Sequence, residues 1–127
     1  MHTKVLRLSD LKFNLETWRR ELRFHLSEMD TFEEKLEEIA ARGYSKSTSV
    51  PLEQFQNRIM IEKDVISKLK HRCKHKIALL SSPDSYELLE PKFHDDHQPL
   101  MDDMRTYIKM HYELIEEMMT YFLNWLE

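Results

Sequence analysis

An all-α fold, an antiparallel up-down-up three-helix bundle of long, coiled-coil-like helices, is predicted by three observations. The first is punctuation. The 127 residues hold one glycine and four prolines, confined to two windows: Gly43 and Pro51 bracket RGYSKSTSVP, and Pro83, Pro91 and Pro99 mark SSPDSYELLEPKFHDDHQP. Glycine permits positive φ and proline removes a helical donor, so these windows are the expected turns. The second is an apolar residue at alternating steps of three and four in each of the three segments left between them, about 9–42, 51–81 and 98–127. The third is the lack of any stretch where strict alternation coincides with β-branched residues, so no strand competes.

Each segment also carries helix-end chemistry. Ser9 is an N-cap with Asp10 at the positive end of the dipole, and Arg42 followed by Gly43 is an exit. Pro51 suits the first turn of the second helix, with Ser49 as its cap. That helix ends in KHRCKHKIALLSSP, with cations ahead of a proline stop. Pro99, with Asp102 and Asp103 behind it, opens the third.

The seams read as follows. Segment one carries Leu8, Leu11, Leu15, Trp18, Leu22, His25, Met29, Phe32, Leu36 and Ile39. Segment two carries Leu52, Phe55, Ile59, Glu62, Ile66, Leu69, Cys73, Lys76 or Ile77, and Leu80. Segment three carries Leu100, Met104, Tyr107, His111, Leu114, Met118, Tyr121 and Trp125. His25, Glu62 and His111 are the polar members. Reflecting positions about the two turns sets His25 and His111 at the same height, with Leu69 facing them from segment two. The third segment has a second stripe, Met101, Ile108, Ile115 and Phe122, which exceeds what one neighbour covers and is the expected interaction surface.

Composition narrows the function classes. Apolar residues are 41% and charged residues 33% of the chain, too apolar for a disordered tail, yet no apolar run nears the roughly 18 residues of a membrane span. One glycine leaves no Gly-rich phosphate loop, and the single Cys73 leaves no disulfide framework or multi-cysteine zinc site. The start, MHTKVLRLSD, has no apolar h-region, which predicts a cytoplasmic protein. Length alone predicts a single domain over 1–127.

Four clusters are candidates for chemistry. His25 and His111 in one core layer are expected to be a neutral, hydrogen-bonded register pin, with folded pKa values below about 6.5. A metal-binding layer is the alternative. Bundle metal sites add carboxylates at Glu-x-x-His spacing, but Leu22 and Ile108 stand where those would be, and Glu28 and Glu62 read as a turn or more away. His71 and His75 flank Cys73 at i,i+4 spacing and are expected to be a solvated basic helix end. His94, Asp95, Asp96 and His97 read as a polar loop. Arg19, Arg20, Arg23, Lys68, Lys70 and Arg72 form a basic band across helices one and two, opposite an acidic end at Glu28–Glu38. Such a band suits an anionic partner, nucleic acid included, although no aromatic residue interleaves with it.

The resulting expectation is a non-enzymatic helical interaction or scaffold protein without a cofactor, acting as a homodimer or on a protein partner and not at a membrane. Nucleic-acid binding through the basic band and metal binding at His25/His111 are its rivals.

Overall fold

The computed structural model describes the backbone of residues 8–42, 46–81 and 86–126, and the side chains of 9–42, 50–81 and 97–124. Every described residue except Ser81 is α-helical. The helices are α1 (Leu8–Arg42), α2 (Lys46–Leu80) and α3 (Tyr86–Leu126), forming the expected three-helix bundle. At 1.5 Å per residue the 35-residue α1 is about 50 Å long and the 41-residue α3 about 60 Å.

Two helix starts differ from those the prolines suggested. α2 begins at Lys46, so Pro51 lies inside it and not at its first position. α3 begins at Tyr86, not near 98, and runs through both Pro91 and Pro99. Pro51 and Pro91 each fall five residues after their helix begins, where the missing N–H removes a single bond to the first turn. At Pro99 the compensation is tertiary: His97 and Leu100 on either side are buried, and burial outweighs one lost hydrogen bond. The α2 exit is as expected, with Ser81 capping: its N–H donates to the Ile77 carbonyl at 3.0 Å and its hydroxyl donates to the same oxygen at 2.9 Å.

The core follows the seams. Leu11, Leu15, Leu22, Met29, Leu36 and Ile39 of α1 are buried against Leu52, Ile59, Ile66, Leu69, Cys73 and Leu80 of α2, and against Leu100, Met104, Tyr107, Leu114 and Met118 of α3. Lys76, not Ile77, is the more buried of the two alternatives on α2. The side chains of Leu8 and Trp125 lie outside the described residues. Near the end of α3 burial passes from Tyr121 to Phe122, as expected when a 3.6-residue helix drifts against a seven-residue repeat.

The three interfaces are unequal. Among the described residues the backbones of α1 and α2 approach most closely, those of α2 and α3 less, and those of α1 and α3 in few places. Ring size accounts for this. Branched aliphatic side chains fill the α1–α2 seam, whereas α1 and α3 meet through a ladder of stacked rings: Trp18 on His97 (centroids 5.4 Å apart), His25 on His111 (3.7 Å) and Phe32 on Phe122 (5.9 Å). Rings stacked between two helices hold their axes apart.

Candidate metal centre and surfaces

The polar layer sits on the middle rung of that ladder. His25 is held by α1, Glu62 by α2, and Tyr107 and His111 by α3, all buried. The two imidazoles stack at 3.7 Å with planes 5° apart, so the sequence-based placement of His25 and His111 at one height holds. Leu69 is not the α2 residue that meets His111; Glu62 is. The ion pairs Arg58–Glu117 and Arg72–Asp103 set His111 across from the stretch between Glu62 and Ile66. This is about one helical turn from the reflected register.

Three of the four ring nitrogens of the layer are hydrogen-bonded. His111 Nδ1–H donates to Glu62 Oε2 at 2.6 Å, and its Nε2–H donates to Glu28 Oε1 at 3.2 Å. A carboxylate at both nitrogens favours the doubly protonated ring, as only that form has two donors. Burial pushes the His111 pKa down, but the hydrogen bonds and charges of Glu62 and Glu28 together outweigh it, and the net shift is upward. His25 goes the other way. Burial, then the charge of His111, lower its pKa against the weaker pull of Glu28, Glu21 and Glu62. His25 Nδ1 and the Tyr107 hydroxyl share a hydrogen bond of 2.8 Å, and His25 Nε2 lies 3.6 Å from Glu21 Oε2. Burial, reinforced by Glu62 and Glu28, drives the Tyr107 hydroxyl pKa upward, so it stays protonated.

The expectation that both folded pKa values lie below about 6.5 is therefore corrected for His111, which the two carboxylates shift upward, and not for His25. The expectation that no carboxylate belongs to the layer is corrected as well. Glu28 is one turn from His25 on the same face, which i,i+3 spacing permits, and Glu62 arrives through the shifted register. Glu62 Oε1 is buried without a hydrogen-bond partner. One ligand atom each from His25, Glu28 and His111 lies within 4.8 Å of the others. The signal for Glu62 was legible as a lone acid in an otherwise apolar seam.

The other candidates separate. His71 and His75 are exposed, with ring centroids 6.4 Å apart. Cys73 is buried away from them, and burial raises its pKa to about 11 against the opposing charges of Arg72, Arg19 and Lys76. The predicted His94–His97 loop is helical. The side chains of His94, Asp95 and Asp96 lie outside the described residues, while buried His97 bonds Asn14 Oδ1 at 3.0 Å and stacks on Trp18. In the basic band, Lys68 pairs with Asp64 at 2.9 Å and Arg72 with Asp103 at 2.6 Å, while Arg20 and Arg23 are exposed and Arg19 and Lys70 half-buried. Of the second stripe, Met101, Ile108 and Ile115 are half-buried and Phe122 is buried on Phe32. The exposed apolar edge beside it, missed in the sequence, is Tyr112, Met119 and Leu123, with Phe24 across on α1. A groove between the helices is lined by Thr31, Phe32, Lys35, Met119, Phe122 and Leu123. No described helix is long and apolar enough to cross a membrane.

Compared with known proteins, the chain matches no family model, and no curated protein or solved structure matches it.

Proposed function

We propose that the protein acts through its helical surface as a non-enzymatic interaction module, and that its first partner is a second copy of itself. The observation that carries this reading is the exposed apolar edge of Phe24, Tyr112, Met119 and Leu123 along the open α1–α3 side. A thin bundle buries little surface per residue, and this edge is where a further helix finds apolar cover. The charge distribution supports a two-fold, antiparallel copy. Arg19, Arg20 and Arg23 lie toward one end of α1 and Glu33, Glu34, Glu37 and Glu38 toward the other, so two-fold symmetry sets unlike ends together. Nucleic-acid binding is less favoured because Lys68 and Arg72 already hold carboxylates. A buried Cys73 held as a thiol suits a reducing compartment and supports a cytoplasmic placement.

Sedimentation across a concentration series tests this. The expected result is a dimer at tens of micromolar, and a monomer for the double variant Met119→Glu/Leu123→Glu with unchanged helical circular dichroism. A wild-type chain that stays monomeric at those concentrations rejects the reading.

A further inference from the structure

We infer that the polar layer is a binding site for one divalent first-row transition-metal ion, held between α1 and α3 by His25 Nε2, His111 Nε2 and the Glu28 carboxylate. The three residues bring their ligand atoms within 4.8 Å of one another, so a modest inward movement reaches the roughly 2.0–2.2 Å of metal–nitrogen and metal–oxygen bonds. Glu21 Oε2, 3.6 Å from His25 Nε2 and largely exposed, is placed to add a fourth ligand from the same face of α1. Two imidazoles with carboxylate oxygen suit zinc, iron, cobalt or nickel better than magnesium or calcium.

The surroundings of the ligands carry the inference further than their proximity. A metal-binding histidine points one nitrogen at the ion and gives the other to an outer partner that fixes the ring. Both rings do this here: His111 Nδ1 is on Glu62 at 2.6 Å and His25 Nδ1 is on Tyr107 at 2.8 Å. His111 Nε2 is thereby left toward Glu28 and His25 Nε2 toward Glu21. The tautomers also close a chain of hydrogen bonds. Coordination at Nε2 places the His25 proton on Nδ1, which then donates to the Tyr107 oxygen. The Tyr107 hydroxyl proton is freed to turn to Glu62, which already acts on it and whose Oε1 is the buried oxygen without a partner.

Each ring offers the ion the lone pair of its Nε2. The groups around the two rings are Glu21 and Glu28 on α1, Glu62 on α2, and Tyr107 and Tyr112 on α3. The two lone pairs run side by side while the rings are parallel, so each ring must tilt about its Nδ1 hydrogen bond to converge. Glu28, about a third exposed, gives the ion its way in from the open side.

The test is calorimetric titration of the full chain, stripped with chelator, with Zn²⁺ alone, together with elemental analysis and the visible spectrum of the Co²⁺ form. The expected result is one saturable ion per chain, and a Co²⁺ spectrum of nitrogen and oxygen ligation. Zn²⁺ affinity should fall about 10–100-fold in Glu28→Gln and in Glu62→Gln, and be unchanged in His71→Gln/His75→Gln. Glu28→Gln is isosteric and partly solvated, so it is expected to fold, and the wild-type Co²⁺ spectrum stands without any variant. No saturable Zn²⁺ binding by the stripped wild-type chain overturns the proposal. So does binding that survives Glu28→Gln and is lost in His71→Gln/His75→Gln.

Discussion

At the scale of single residues, the His25–His111 stack places two imidazoles under opposite electrostatic pressure. His111 has its folded pKa raised above 6.5, so its contribution to stability is fully present below 6.5 and is lost as pH rises through the folded value. His25 has its folded pKa lowered, so its contribution is present above 6.5 and is lost as pH falls from 6.5 toward the folded value. The two slopes oppose each other near neutrality. Ring-resolved NMR titration of metal-free protein is expected to show one histidine titrating above 6.5, lost as a resonance in His111→Gln, and one below it, lost in His25→Gln. Two titrations on the same side of 6.5 would contradict the assignment. Removing the acid that holds the His111 proton should be severe. Glu62→Ala leaves a buried imidazolium without its nearer partner, a loss of about 3–5 kcal/mol, readable as a shift of the urea midpoint at pH 6.

The helices themselves pose a different question, since α3 tolerates two prolines. An interior proline is about 3 kcal/mol less favourable than alanine, and Pro99 is exposed, with no described side-chain role. Pro99→Ala is therefore expected to stabilise the protein, by up to about 3 kcal/mol, seen as a higher melting temperature with no loss of helical signal. A neutral or destabilising result would mean that the proline sets a bend on which the Trp18–His97 stack depends. Much of the helix pattern was legible. The 3-4 spacing identified the buried positions of α1 almost residue by residue, because a two-turn repeat survives any choice of neighbour. The start of α3 was not legible. Local propensity places a boundary at Pro99, and the docking of His97 on Asn14 and Trp18 together with the burial of Leu100 carries the helix past it.

For the whole molecule, the unequal seams decide where a partner fits. Stacked rings prop α1 away from α3, leaving Phe24, Tyr112, Met119 and Leu123 exposed at one edge, whereas the α1–α2 side is closed and bridged by Lys63 to Asp30 and Glu33. If this edge is covered by a second copy, unfolding and dissociation are linked, and the melting temperature rises with protein concentration. A melting temperature independent of concentration over two decades would place the partner elsewhere. The same opening leads to Glu28, so Met119→Glu/Leu123→Glu, which lies about two turns away from Tyr112, should disturb association without altering Zn²⁺ affinity.

Three helices, their seams and the common height of His25 and His111 follow from the sequence alone, because periodicity and turn chemistry are local properties that the chain carries wherever it folds. The sequence alone also marked Glu62 as an acid in an apolar seam. The tertiary structure decided what those residues do to each other. A register difference of about one turn replaced Leu69 with Glu62 opposite His111, and that put a carboxylate on each side of one ring. Charge state, hydrogen-bond chain and ligand convergence all depend on distances of a few ångströms between helices. Such distances are set by the summed packing of all three seams, not by the spacing within any one of them.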